Sequence, residues 1–262
     1  MPLARSDRAT LVAALATRRL DRTLTTSLPA IDPHDEYSIG PTGLVTLDAP
    51  LGGGFPRGQL SELAGAPSSG RMTLLLQFIA AATRRGEIAA LVDTHDRLDV
   101  ASATAAGVDL DRLLWIRGLG TGGSPKQDPP YRARHEMGDR RLETAIDRAL
   151  KALNLVLQAG GFGVVALDLA DASGVELRQI PFTTWPRLQR VIEGSDTACV
   201  LVTPEPLARS AGGLTLSLAG RAAWAGVSGR SHRLQGLDLR VRVVSPRKRI
   251  DGDVTLRTTA TA

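Results

Sequence analysis

Gly65-Ala66-Pro67-Ser68-Ser69-Gly70-Arg71-Met72-Thr73 is the stretch on which the fold turns. It keeps the glycine spacing of a phosphate-binding loop, G-x-x-x-x-G-K-[ST], in which backbone N–H groups cradle an anion ahead of a helix. The two residues that act on the phosphates are replaced. Arg71 stands where a compact lysine ammonium reaches the β/γ-phosphates, and a guanidinium is broader, planar and bonds differently. Met72 stands where a hydroxyl holds Mg²⁺, and a thioether is a poor ligand for that hard cation. Thr73 cannot step in, being turned about 100° round the helix axis from Met72. The vestigial nucleotide-binding residues are Gly65, Ser68, Ser69, Gly70, Arg71, Met72 and Thr73, joined below by Asp168. They read either as a strand–turn–helix hinge with no ligand, or as a loop with residual ATP or ADP binding and no hydrolysis.

Outward from the loop, strands and helices alternate. Gln59 to Ala64 reads as a strand, and Met72 to Arg85 as the helix after it, with Leu75, Phe78, Ile79 and Ala82 on one stripe and Gly86 as its stop. Ile88 to Val92 is a buried-type strand ending at Asp93, followed by a short helix from Asp99 to Ala106 and a strand from Leu113 to Ile116. Residues 118–138 form a long glycine- and proline-rich loop. Asp139 is placed as the cap of a helix striped by Leu142, Ile146, Ala149, Leu153 and Leu157, which Gly160 and Gly161 end. Val164 to Leu167, ending in Asp168, and the run around Cys199 are further buried strands, with a helix starting near Pro186 between them. Arg221 to Ala225 and Leu237 to Val244 alternate as strands do. This order predicts an α/β fold: one mainly parallel sheet with helices on both faces. The divisions are an N-terminal helix and linker over 1–37, a core domain over 38–245, and a basic, flexible tail over 246–262.

With 262 residues, 43% of them hydrophobic, the chain can bury a full core. Aromatics are only 3%, which argues against stacking platforms for single-stranded nucleic acid. A net charge of +5 and a pI near 10.1 suit weak, non-specific contact with DNA or an acidic protein surface. The one cysteine excludes a disulfide, no apolar run reaches membrane-spanning length, and no signal-peptide core is present. The expectation is a soluble cytoplasmic protein without membrane contact.

The runs Ile39-Gly40-Pro41-Thr42-Gly43-Leu44-Val45-Thr46-Leu47-Asp48 and Leu51-Gly52-Gly53-Gly54-Phe55-Pro56-Arg57-Gly58 resemble the entry to the RecA recombinase core. Asp93-Thr94-His95-Asp96-Arg97-Leu98-Asp99 and Gly107-Val108-Asp109-Leu110-Asp111-Arg112-Leu113-Leu114 extend the resemblance, which covers roughly residues 39–225. It implies a RecA-like, P-loop NTPase-type core with an N-terminal helical arm, and it gives Asp168 the Walker B position. The same resemblance puts His95 where the family carries its catalytic glutamate. It also puts Thr203-Pro204-Glu205-Pro206 where the recombinases carry an Asn-Gln pair that senses the γ-phosphate. Departures at Arg71, Met72, His95 and Pro204 together imply lost hydrolysis, so no catalytic residue and no cofactor is assigned.

This combination is similar to the ImuA family, RecA-like accessory proteins of DNA-damage-induced (SOS) translesion mutagenesis. That resemblance implies as partners an ImuB-like, inactive homologue of Y-family polymerases and an error-prone, replicative-type DNA polymerase, with RecA or a second copy as further candidates. Two rivals remain: a DNA-dependent ATPase of the RecA type using Arg71 on the phosphates, and a SulA-like cell-division inhibitor.

The candidate partner-binding face is Leu11, Leu15 and Leu20 on a helix that Ser6 caps. Arg240 and Arg242, alternating on a strand, and the run Arg247-Lys248-Arg249 are the candidate DNA contacts. Trp185 and Trp224 serve either as partner anchors or as packing residues. His34, His95, His135 and His232 lack ligand spacing, so no metal site is expected.

Overall fold

A computed structural model describes residues 39–118, 144–208, 212–225, 233–245 and 253–259. Leu11, Leu15, Leu20, Arg247, Lys248, Arg249 and nearly all of the 118–138 loop lie outside those residues.

A two-stranded ribbon, β1 (Ile39–Gly40) against β2 (Phe55–Pro56), brackets the short helix α1 (Val45–Asp48). The main sheet then opens with β3 (Gln59–Gly65), which runs through the phosphate-loop remnant into α2 (Arg71–Arg84). After α2 come β4 (Ala89–Asp93), α3 (Val100–Ala105) and β5 (Leu113–Arg117). They are followed by α4 (Ala145–Ala159), β6 (Val164–Asp168), α5 (Gly174–Gln179), α6 (Thr184–Ile192) and β7 (Ala198–Thr203). The chain closes with β8 (Thr215–Ala225), β9 (Arg233–Ser245) and β10 (Asp253–Thr259). The strand order is β10-β9-β8-β3-β7-β6-β4-β5, parallel from β8 to β5 and antiparallel at the β8-β9-β10 end. This is the α/β architecture that the alternation predicts.

The central strands read as continuous apolar runs because both of their faces are covered. Ala89, Leu91, Val164, Ala166, Ala198, Val200 and Val202 pack with α2 on one face. Their neighbours Ala90, Val92, Val165, Leu167, Cys199 and Leu201 pack with α4, α5 and α6 on the other. Helix α2 is buried almost all round, and its Phe78 ring lies 4.8 Å from that of Phe55. Burial pushes the Cys199 thiol up to about 12, leaving it an inert core residue.

At four places the structure adds local detail. Helix α4 starts at Ala145, where Thr144 and Asp147 form a reciprocal capping box; Asp139 and Leu142 lie outside the described residues. Helix α6 spans Thr184–Ile192 with Pro186 in its first turn, in keeping with a start near that proline. Helix α5 is short and is marked in the sequence only by the capping box of Ser173 and Glu176. The stretch 253–259, read as part of a flexible tail, is an edge strand whose buried Leu256 joins the core.

Candidate functional site

Parallel pairing levels the C-terminal ends of the strands, and the loop remnant sits there. Register sets Asp93 opposite Asp168, Asp168 opposite Val202, and Ala64 opposite Thr203. The loop keeps its turn geometry: Ser68 and Gly70 both adopt left-handed backbone conformations, with φ of 61° and 84°. Ala66, Pro67 and Ser68 are exposed, whereas Ser69 and Gly70 are buried. The outer side of the loop packs on the antiparallel strands, since a Cβ on Gly220 would lie 2.5 Å from Ser68 O.

The first turn of α2 carries Arg71, Met72 and Thr73. The Arg71 side chain is turned into the protein and buried. Its Nη1 donates to the carbonyls of Gly65 and Thr203, the latter at 3.0 Å, and its Nη2 donates to Ala170 O at 2.9 Å. Desolvation lowers its pKa, and the nearby Asp168 and Asp171 carboxylates oppose that shift. Met72, in the same turn, packs half-buried against the core, and Thr73 is exposed. A guanidinium bonded to three backbone carbonyls has little left for a phosphate.

Asp168 is buried at the end of β6 and accepts the Ala170 N–H at 2.8 Å. Its pKa is raised to about 6 by burial above all; Asp93 and Asp171 add to the rise, and the Ala170 N–H and Arg71 oppose it. Asp93 is committed to structure: it accepts the N–H groups of Arg97 at 2.9 Å and Leu98 at 2.8 Å, and Trp115 Nε1–H at 3.1 Å. His95 follows half-buried on that turn. Among the described residues no group of His, Cys, Asp or Glu side chains has the arrangement of a metal site.

The sequence reading missed Glu62. Buried in β3, it accepts Thr203 Oγ1–H at 3.1 Å and the Leu207 N–H at 2.7 Å, while its Oε2 has no partner. Burial raises its pKa against those hydrogen bonds. The available signal was a carboxylate in the middle of an otherwise buried-type strand, which demands compensation.

The DNA-binding candidates Arg240 and Arg242 lie exposed on β9, opposite the face that buries Leu239 and Val241. Arg240 is 3.7 Å from Asp253 of β10. Trp185 is a core residue, whereas Trp224 is 57% exposed near the end of β8. No helix among the described residues is long and apolar enough to cross a membrane.

Residues 27–122 match the RecA N-terminal domain, a span that takes in the loop remnant, Arg71 and His95. Over that span the chain is similar to the RecA N-terminal domain. A 74-residue segment is 50% identical to Protein RecA of Prochlorococcus marinus (strain MIT 9303), covering 28% of this chain and 20% of that protein. A 73-residue segment is 51% identical to Protein RecA of Synechococcus elongatus, again 28% of this chain and 20% of the relative. The matched segment therefore spans about a fifth of the length of these relatives. Within the matched span the loop has glycines at 65 and 70, Arg71 is bonded to backbone carbonyls and Met72 packs against the core.

Proposed function

We propose that this chain is a non-catalytic, ImuA-like accessory protein of DNA-damage-induced translesion synthesis, working in the cytoplasm. In this reading it assembles with an ImuB-like, inactive polymerase homologue and an error-prone replicative-type polymerase, and touches DNA weakly through phosphate attraction. The observation that supports it is the inward-turned Arg71, whose Nη atoms are engaged by Gly65, Ala170 and Thr203 carbonyls. Phosphoryl transfer requires cationic groups aimed at the transferred phosphoryl group and a residue that orients water. Arg71 is engaged by three backbone carbonyls, Met72 offers no hydroxyl for Mg²⁺, and His95 brings no carboxylate. The neighbouring Asp168 is half-protonated near pH 6 and would hold a divalent cation weakly.

The test has two arms. Purified protein is expected to hydrolyse no ATP above background, with or without single-stranded DNA. Co-expression with an ImuB-like protein is expected to yield a complex that survives gel filtration. DNA-stimulated turnover that disappears in Asp168→Ala would replace this reading with that of a DNA-dependent ATPase. Absence of both turnover and complex would discard the translesion partnership and leave only a RecA-like core.

A further inference from the structure

Two buried charged side chains from different elements converge on one residue at the end of β7. Arg71, at the start of α2, donates to the Thr203 carbonyl at 3.0 Å. Glu62, in β3, accepts the Thr203 hydroxyl at 3.1 Å and, through the same oxygen, the Leu207 N–H at 2.7 Å. Thr203 is fully buried, and the segment it opens, Pro204-Glu205-Pro206, emerges half-buried to exposed. The two prolines restrict that segment from within, and the two anchors hold its ends.

We propose that Arg71 and Glu62 form a built-in clamp that sets the conformation of residues 203–207 without any nucleotide, so that Pro204-Glu205-Pro206 is presented as a permanently formed surface. The inference rests on the non-catalytic reading and goes beyond it: the residue that displaces the loop's lysine has acquired a positive task. A guanidinium bonds three carbonyls in a fixed fork, which a lysine ammonium on its flexible stem does not reproduce. Its partners come from the end of β3, the turn after β6 and the end of β7, so the clamp joins the loop remnant to the segment after β7. Glu62 meets the same segment from the middle of β3 and spends a buried carboxyl group there, a cost that only a structural or functional gain offsets.

Hydrogen exchange on the full chain, followed by mass spectrometry on the peptide containing Leu207, tests the clamp. Wild-type exchange is expected to be unchanged by MgATP or MgADP. Arg71→Lys and Glu62→Ala are expected to exchange at least tenfold faster over 203–207, with Glu62→Gln close to wild type because its amide oxygen still accepts both hydrogen bonds. Thr203→Val, of the same shape, removes only the hydroxyl and covers the case in which another variant fails to fold; it should exchange several-fold faster. Wild-type rates in Arg71→Lys and Thr203→Val, or slowing of wild-type exchange by either nucleotide, would overturn the clamp. ATP turnover by wild type with these rates as expected would instead overturn the non-catalytic reading and leave the clamp standing.

Discussion

Gly70 and Leu239 occupy adjoining space: a Cβ built on Gly70 would lie 2.2 Å from Leu239 Cδ2. Gly70 also has a φ of +84°, in the left-handed region that glycine alone enters freely. The turn of the loop remnant is therefore seated on β9, a strand about 170 residues further along the chain. Gly70→Ala is expected to cost about 2–4 kcal/mol, combining backbone strain with overpacking. Adding Leu239→Ala should relieve the clash, so that the double variant is less destabilised than the sum of the singles by about 1 kcal/mol or more. Urea denaturation of the four proteins measures this coupling; strict additivity would refute the contact.

Asp168 carries a pH dependence whose sign is set by its raised pKa. Its folded value is about 6 against an ordinary 3.8, so between those values the folded state holds the proton more tightly than the unfolded state. Stability from this group is complete below about pH 4 and is lost as pH rises through about 6, by about 2–3 kcal/mol in total. Asp168→Asn should therefore be more stable than wild type at pH 7.5, with the gap closing at pH 4.5. Denaturation curves at the two pH values check this, and a gap that widens on acidification would contradict it.

Trp115 supports Asp93 from the edge strand β5. Its Nε1–H reaches Asp93 Oδ2 at 3.1 Å, and the Arg117 guanidinium covers the indole at 4.5 Å from its centroid. Trp115→Phe keeps an aromatic ring but removes one hydrogen bond to a buried carboxylate, at an expected cost of about 1–2 kcal/mol. A thermal or chemical midpoint equal to that of wild type would show that the backbone N–H groups of Arg97 and Leu98 suffice.

Arg240 and Arg242 are offered as phosphate contacts. Binding of a labelled single-stranded oligonucleotide should be weak, indifferent to sequence and steeply dependent on salt. Replacing both arginines with alanine should reduce the slope of log affinity against log salt by about 1–1.5, the value for two released counterions on a single strand. Fluorescence anisotropy across a salt series reads this slope. Unaltered slope in the double variant would move the DNA contact elsewhere.

Most of the α/β core is legible in the linear text because its signals are local. Buried strands such as Ala89–Asp93 and Ala198–Thr203 are short apolar runs, and glycines at 86 and 160 adopt the positive φ that ends their helices. Less legible are capping and edge signals, which weigh little in isolation. Helix α4 starts where Thr144 and Asp147 satisfy two backbone N–H groups reciprocally, a cap that the apolar stripe does not reveal. Asp253–Thr259 is polar enough to pass for a tail, and becomes a strand through pairing with β9 and burial of Leu256.

The candidate site divides along the same line. Residue identity alone shows that position 71 holds a guanidinium, 72 a thioether and 95 an imidazole, because a side chain's charge, shape and ligand preference travel with it wherever it is placed. Where the Arg71 guanidinium goes was decided only by the tertiary structure. Its acceptors at Gly65, Ala170 and Thr203 belong to three segments that parallel pairing brings level at one end of the sheet. Glu62 likewise became part of the site only when β3 and β7 aligned, for Leu207 lies 145 residues away in the chain and 2.7 Å away in space. Local propensity and spacing act over a few residues, whereas a buried charge is satisfied by whatever carbonyl, hydroxyl or amide the fold brings to it.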